Sequence, residues 1–137
     1  MQDCVFCKIV TGEIPSAKIY EDNEILAFLD IMPVNKGHTL VIPKEHFETL
    51  VDIPSKKLQK LIAELYKITN AVIEATNAEG FNVFINNKRV AGQAVPHAHF
   101  HIVPRYGNDK VDVRWPQGKY MKGEMEDYKK KIQNFLK

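Results

Sequence analysis

Three histidines alternate with apolar residues in one short stretch of this chain, where residues 97–103 read HAHFHIV. Successive side chains of an extended strand point to opposite faces, so His97, His99 and His101 are predicted to line one face and the apolar residues the other. Imidazoles on that face would stand roughly 6.5–7 Å apart. This spacing allows the three rings to surround one phosphate group or one metal ion.

The imidazole side chain suits two kinds of chemistry at a phosphate. Its unperturbed pKa lies near ~6.5, so near neutral pH it can act as a nucleophile, a proton donor or a metal ligand. One ring can attack phosphorus and form a covalent intermediate that water resolves, while a neighbouring ring protonates the leaving group. Alternatively, two or three rings can hold a hydrolytic zinc ion. The pattern alone leaves nucleophilic phosphorus chemistry and a zinc hydrolase both open.

A short turn precedes the histidine stretch. It contains Gly92-Gln93-Ala94, and no charged side chain occurs between Arg89 and Arg105. Backbone N–H groups of a glycine turn can bind phosphate oxygens. The turn is therefore a candidate phosphate-binding loop.

A second group of metal-binding residue types lies near the N-terminus, where Cys4 and Cys7 are the only two cysteines of the chain. Two cysteines this close do not make a disulfide framework, and in a cytosolic protein a C-x-x-C pair indicates half of a metal site or a redox pair. With two of the five histidines, the pair would complete a closed Cys2His2 site, which is structural and has no catalytic water. The pattern alone leaves the metal and redox interpretations open.

Composition and charge exclude several classes of protein. With 137 residues, 45% of them hydrophobic, the chain is expected to form one domain with an ordinary core. Lys and Arg total 19 against 17 Asp and Glu, and no basic stripe indicates a nucleic-acid partner. No stretch approaches the ~20 apolar residues of a membrane span, and residues 1–4 lack the charged-then-apolar order of a signal peptide. We therefore expect a soluble cytoplasmic protein with no membrane partner.

The periodicity of apolar residues predicts the elements that position these side chains. Residues 18–21 and 25–29 flank a polar turn and predict a hairpin, and residues 38–43 and 81–86 predict further strands. Between them, apolar residues recur at three- and four-residue steps, which predicts an amphipathic helix that starts near Pro54-Ser55 and is followed by Gly80: Leu58, Leu61, Ile62, Leu65, Ile68 and Val72. Gly12 and Pro15 predict a loop after the cysteines, and residues 125–135 fit a short terminal helix. This order indicates an α+β domain on an antiparallel sheet.

The histidine stretch resembles the signature of the histidine triad (HIT) nucleotide-binding proteins. The resemblance extends in order through residues 4–10, 12–16, 27–31, 37–44 and 92–93. Within that family, the chain most resembles bacterial, zinc-containing members of the branch that hydrolyses purine nucleoside phosphoramidates. The resemblance implies a single domain over residues 1–137, built as an antiparallel five-stranded sheet with one long and one short C-terminal helix, that forms a homodimer.

The resemblance also implies a role for each site residue. His99 would attack the α-phosphorus of an AMP-like substrate and carry the nucleotidyl group, with His101 at the phosphate and leaving group. His97 and His38 would support the site. Asp30 would contact the ribose hydroxyls, and the full set of nucleotide contacts would be Phe28, Asp30, Ile31, Asn86, Gly92, Gln93, Ala94, His99 and His101. One structural zinc per chain would be held by Cys4, Cys7, His46 and His97, with no catalytic metal required.

Position 94 departs from the pattern, because Ala94 stands where the family usually has a serine whose hydroxyl contacts the phosphate and leaving group. Losing one such donor can cost on the order of 10²–10³ in rate, by analogy with oxyanion holes. Slow turnover by a nucleoside phosphoramidase with a covalent nucleotidyl-His99 intermediate is therefore the leading hypothesis. A non-catalytic AMP- or ADP-binding scaffold and a dinucleoside polyphosphate hydrolase are the alternatives. A metallohydrolase with zinc on the triad itself is a further one.

Overall fold

The computed structural model describes residues 3–136, which form a five-stranded sheet and three α-helices. The helices are α1 (Val5–Thr11), α2 (Ser55–Thr76) and α3 (Glu124–Phe135). The strands are β1 (Lys18–Glu21), β2 (Ile25–Leu29), β3 (Thr39–Pro43), β4 (Gly80–Ile85) and β5 (Phe100–Arg105). All neighbouring strands are antiparallel, in the order β1-β2-β3-β5-β4. The predicted α+β fold is confirmed, and within residues 3–136 no helix is long and apolar enough to cross a membrane.

Helix α2 covers one face of the sheet. Its buried side chains, among them Leu61, Leu65 and Ile68, pack against residues of β2, β3 and β5 such as Val41 and Ile102. The periodicity therefore predicted the helix correctly. The buried stripe is narrower than expected, because the side chain of Ile62 is exposed.

Helix α1 covers the opposite face and was not predicted. Its side chains Phe6 and Ile9 pack on β2 and β3 residues of the second core cluster, including Phe28 and Leu40. The helix begins where the Cys4 sulfur accepts the N–H of Cys7, and it ends after seven residues at a glycine in the left-handed region. Two turns of helix are too short for apolar periodicity to show, so the sequence predicted no element before the loop at Gly12 and Pro15.

The histidine stretch is only partly a strand, which corrects the expectation for residues 97–103. Strand β5 begins at Phe100, so His101 alone of the three histidines lies in it. Before that point the backbone has other partners, because the Ala98 N–H donates to the Phe47 carbonyl and the His97 carbonyl accepts from the His99 ring. The alternation of faces nevertheless holds: Phe100 lies in the core under α2, and the histidine rings lie on the other side.

Candidate active site and metal centre

Four paired side chains form a row across the sheet on the face away from α2. The strand register pairs Phe28 with Leu40, Leu40 with His101, and His101 with Phe84. Directly paired residues of antiparallel strands lie on the same face. The Phe84 ring consequently stacks on the His101 ring, with centroids 4.5 Å apart and planes 9° from parallel. The predicted leaving-group histidine is therefore held between two strands and supported by an aromatic ring.

His99 is held in the form that a nucleophile requires. Its Nδ1 lies 2.7 Å from the His97 carbonyl oxygen, so the neutral ring donates its Nδ1–H there and keeps a lone pair on Nε2. The side chain is buried, and the edge of the Phe6 ring packs against it with centroids 5.0 Å apart. Burial lowers the pKa of His99 below its ordinary value, although the carbonyl opposes this shift. The ring is therefore neutral at pH 7 and available for attack on phosphorus.

His38 and His101 form a directional hydrogen-bonded pair. The Val34 N–H donates to His38 Nδ1 at 3.1 Å, so neutral His38 carries its proton on Nε2. That nitrogen lies 2.9 Å from His101 Nδ1. If His38 donates to Nδ1, neutral His101 must carry its own proton on Nε2. Burial, together with repulsion from His99 and His38 when those rings are protonated, lowers the pKa of His101 to about 4, and burial also lowers the pKa of His38.

The same hydrogen bonds argue against zinc in the cluster of Asp30, His38 and His101. Asp30, His38 and His101 each place one donor atom within 4.8 Å of the others, and Asp30 Oδ2 lies 3.8 Å from His38 Nε2. A metal ion there would need the Nε2 lone pair of His38 and would force its proton onto Nδ1. Two N–H groups, those of Val34 and His38, would then face each other. The arrangement favours a proton-donating pair over a triad-bound metal.

His97 belongs to a second cluster, with its ring turned away from the His38–His101 pair. The ring is fully buried, its Nε2 donates to the Pro43 carbonyl at 2.8 Å, and its Nδ1 lies 3.4 Å from Cys4 Sγ and 3.7 Å from Cys7 Sγ. His46 Nδ1 lies 3.4 Å from Cys7 Sγ. The four donor atoms all lie within 4.8 Å of one another. The structure therefore brings together all four predicted metal ligands.

The spacing of these four donors fits a tetrahedral zinc ion. Bonds of about 2.3 Å to sulfur and about 2.0 Å to nitrogen separate S and N ligands by about 3.5 Å in a tetrahedron. The Pro43 carbonyl fixes the His97 tautomer that leaves Nδ1 free to bind, as outer-shell partners of metal-bound histidines do. Helix α1 provides both sulfurs, from Cys4 at its N-cap and Cys7 in its first turn.

The predicted nucleoside residues lie at the end of β2 and just after it, and they differ widely in exposure. Phe28 is buried, and its ring packs on the edge of Phe6 with centroids 5.5 Å apart. Asp30 is half-buried, and its Oδ1 accepts the N–H of Met32 at 2.9 Å. Ile31, just after β2, is 91% exposed. Phe28 can thus form the floor of a nucleoside pocket, and Ile31 its outer edge.

The predicted phosphate loop is held by the side chain of Gln93. Its Oε1 accepts the Lys88 N–H and its Nε2 donates to the Glu48 carbonyl, both at 2.7 Å. This amide is therefore used within the chain and positions the loop, and a ligand contact from its side chain stays a prediction. Gly92 adopts a φ of 96°, which favours glycine, and the Asn86 amide lies beside it.

Two backbone donors of this loop are available to a ligand. The N–H groups of Gly92 and Gln93 donate to carbonyls of the preceding turn. Within residues 3–136, those of Ala94 and Val95 have no acceptor, and Ala94 is exposed. A pair of free N–H groups beside the histidines can bind phosphate oxygens.

Three functional groups went unrecognised in the sequence. Phe6 packs against both His97 and His99, and its place between the two cysteines was the signal that could have found it. Phe84 would have followed from counting strand alternation back from Asn86. Val34 acts through its backbone N–H, for which the residue type carries no signal.

Comparison with known proteins agrees with this geometry. The model of the family described as "HIT domain" matches residues 11–108. An uncharacterized HIT-like protein of Methanocaldococcus jannaschii is 49% identical over 116 residues, covering 85% of this chain and 89% of that protein. The adenosine 5'-monophosphoramidase hnt1 of Schizosaccharomyces pombe is 43% identical over 114 residues, covering 82% of this chain and 83% of that protein.

Solved structures share the fold. A crystal structure of a HIT family member from Bacillus subtilis matches with a TM-score of 0.92 at 40% identity, covering 98% of both chains. A Zn-bound histidine triad family protein from Mycobacterium smegmatis matches with a TM-score of 0.76 at 42% identity, covering 85% of both chains.

Proposed function

Because this chain belongs to the HIT domain family, we propose that it is a nucleotide hydrolase of the purine nucleoside phosphoramidase type. One observation carries the proposal: the lone pair of His99 Nε2 lies beside a ring, His101, whose proton is held on Nε2 by His38. Such a pair provides a nucleophile and a proton donor. A relative named adenosine 5'-monophosphoramidase supports this reaction class.

In the first half-reaction, Nε2 of His99 attacks the α-phosphorus and forms an N–P bond as the bond to the leaving nitrogen breaks. The anionic phosphate beside His101 raises the pKa of this ring, so the ring takes up a proton from solvent when substrate binds. The leaving nitrogen takes one proton from this imidazolium, and His101 returns to a neutral ring hydrogen-bonded to His38.

In the second half-reaction, water attacks the same phosphorus and the His99 N–P bond breaks. The attacking water gives its proton to neutral His101, AMP is released, and the ring returns that proton to solvent, which restores the resting state. The free N–H groups of Ala94 and Val95 support both steps by donating to the phosphate oxygens as charge develops. Asp30, Phe28 and Ile31 are proposed to hold the nucleoside, and Asn86 and Gly92 to shape the phosphate site.

Rapid-quench mass analysis with an adenosine phosphoramidate tests this mechanism. We expect a nucleotidyl group on the peptide that contains His99, together with AMP release. AMP release that survives in His99→Ala would overturn the covalent route. The absence of both adduct and AMP would overturn the enzyme proposal.

We also propose that Cys4, Cys7, His46 and His97 hold one structural zinc ion per chain. The support is the donor set, its distances and the Zn-bound M. smegmatis relative. Four protein ligands leave no open position, so the ion would stabilise the fold rather than activate water. By holding the His97 ring, it would also steady the carbonyl that orients His99.

The position of Ala94 favours a second candidate, a protein that binds AMP or ADP without hydrolysing a phosphoramidate. The exposed methyl group adds no donor to the phosphate loop, which leaves only backbone N–H groups there. Tight AMP binding with no turnover in the wild type, and turnover in Ala94→Ser, would establish this candidate.

The proposed assembly is a homodimer of the single domain 1–137, located in the cytoplasm. Edge strand β4 exposes Phe81 and Val83, and α3 exposes an apolar stripe that includes Tyr128 and Ile132. Apolar surface of this kind favours association. A C-x-x-C pair outside any disulfide framework suits a reducing compartment. Light scattering on the purified full chain tests the dimer, and a monomer at micromolar concentration would contradict it.

A further inference from the structure

One residue beside the phosphate loop has a strained backbone. Lys88 adopts a φ of 73° and a ψ of 157°, in a region that essentially only glycine occupies, because a Cβ atom is crowded there. Residues stay in such conformations when the surrounding structure over-determines them, and they concentrate at functional sites. The contacts that hold Lys88 therefore indicate what shapes the loop.

The Lys88 backbone fixes the point at which the turn of the phosphate loop closes. Its carbonyl accepts the N–H groups of Ala91 and Gln93, both at 3.1 Å, and its own N–H donates to Gln93 Oε1 at 2.7 Å. The next two N–H groups, those of Ala94 and Val95, have no acceptor in the described part of the chain. The strained conformation of Lys88 is thus the one that presents the proposed phosphate donors.

The segment that leads into helix α2 holds this turn from outside. Leu50 donates its N–H to Asn87 Oδ1 at 2.8 Å, and Gln93 Nε2 donates to the Glu48 carbonyl at 2.7 Å. The Glu48 carboxylate also pairs with Lys88 Nζ at 2.9 Å, but both side chains are about half exposed, so this ion pair contributes little. Asn87, directly before the strained residue, therefore provides the tie on that side of the turn.

The partner of Asn87 is itself fixed in place. Thr49, directly before Leu50, is buried. Its N–H and its hydroxyl donate to Asp52 Oδ2 at 2.9 and 2.7 Å. Because the Leu50 N–H is held by this turn, its hydrogen bond sets the position of the Asn87 side chain.

We infer that Asn87 is a positioning residue for the phosphate loop: by accepting the Leu50 N–H, it keeps Lys88 in the conformation that presents the two free N–H groups. The inference rests on the proposed function, since it assumes that those groups bind the α-phosphate. Without this tie the turn relaxes towards a conformation that a lysine prefers, and the two donors leave their positions. Asn87 acts through the turn and does not contact the substrate itself.

The ratio of AMP affinity to adenosine affinity, measured by calorimetry, isolates the phosphate loop because both ligands share the nucleoside. We expect Asn87→Ala to lower this ratio by about tenfold, since displaced donors lose hydrogen bonds to a charged group. Tyr106→Phe removes one hydrogen bond, to the Thr76 carbonyl, at the other end of β5, and should leave the ratio unchanged. This control separates the phosphate effect from a loss of stability.

Two substitutions of Lys88 test whether strain is the reason. Both Lys88→Gly and Lys88→Ala remove the amine, but only glycine adopts this backbone region freely. In the Lys88→Gly background, Asn87→Ala should lower the ratio by less than about twofold, whereas in the Lys88→Ala background the tenfold loss should persist. Lys88→Gly alone should also melt at a higher temperature than Lys88→Ala, a comparison that requires neither ligand nor the Asn87 variant.

Parallel loss of AMP and adenosine affinity in Asn87→Ala would overturn the inference, because it would show that the residue only stabilises the fold. Equal effects of Asn87→Ala in the two Lys88 backgrounds, or a lower melting temperature for Lys88→Gly, would overturn it as well. Failure of phosphoramidate hydrolysis would contradict the proposed enzyme but leave this test intact, since AMP binding requires no turnover. A wild type that binds AMP no more tightly than adenosine would overturn the phosphate site and the role of Asn87 together.

Discussion

Two groups of histidines lie side by side in this chain, and the backbone partner of each ring separates their roles. The His97 ring donates its proton to the Pro43 carbonyl, and the His99 ring donates its proton to the His97 carbonyl. In each ring the other nitrogen therefore has a lone pair. At His38 the partner is the Val34 N–H, so the far nitrogen carries a proton. A single residue type thus becomes a ligand, a nucleophile or a donor according to the backbone group it meets.

The largest effect is expected from His99→Asn, which removes the nucleophile while leaving both clusters otherwise intact. Turnover of an adenosine phosphoramidate should fall by at least about 10⁴-fold, as for other catalytic nucleophiles. AMP binding, measured by calorimetry, and zinc content should remain near wild-type values. A loss below tenfold would show that His99 is not the nucleophile.

The second-largest effect is expected from removing the metal, which should change stability through the Cys4, Cys7, His46 and His97 cluster. Chelation, or Cys7→Ser, is expected to lower the free energy of unfolding by several kcal/mol, because metal binding energy contributes directly to folding. Urea titrations with and without chelator measure this difference. His101→Asn serves as the control, since it should leave the zinc content at one per chain. Unchanged stability after complete zinc loss would contradict a structural role.

The hydrogen bond between His38 and His101 predicts a smaller effect on kcat, which should depend on the leaving group. His38→Phe removes the donor to His101 Nδ1, so kcat for an alkyl-amine phosphoramidate should fall by about 10²-fold, within the range of general acid catalysis. An adenylate ester with a nitrophenol leaving group needs little protonation and should lose much less. Equal losses on both substrates would mean that His38 acts only as a structural residue.

The pH dependence of stability should reveal the burial of His101. His101 has a folded pKa of about 4 against an unfolded pKa near ~6.5, so the unfolded chain binds more protons between these values. Its contribution is complete above pH 6.5 and is lost as the pH falls towards 4. The expected loss is about 2–3 kcal/mol, and His101→Asn should reduce it in urea titrations at pH 7.0 and 4.5. An identical pH dependence in the variant would contradict this assignment.

The smallest effect is expected at the phosphate loop. Ala94→Ser adds one hydroxyl donor beside the free N–H groups of residues 94 and 95, so kcat should rise by up to about tenfold. Steady-state kinetics measure the change, with Ala91→Ser as a matched control on the neighbouring turn. An unchanged or lower kcat in Ala94→Ser would contradict this prediction.

Much of the scaffold followed from local patterns. Short apolar runs predicted β2 and β3, alternation predicted β4, and the three- and four-residue steps from Leu58 to Val72 predicted α2, because these patterns reflect which faces are buried. Helix α1 was not predicted, since it is only seven residues long and is stabilised by packing of Phe6 and Ile9 on the sheet. The strand expected over 97–103 was shortened by backbone partners outside the sheet.

The sequence by itself determined which side chains could do the chemistry: three alternating histidines, a C-x-x-C pair and a glycine turn. Only the tertiary structure decided which nitrogen of each ring is available. That choice depends on partners such as the Pro43 carbonyl, 54 residues from His97, and the His38 ring, 63 residues from His101. Hydrogen bonds between distant segments set the tautomers, so residue spacing in the sequence does not indicate which tautomer each ring adopts.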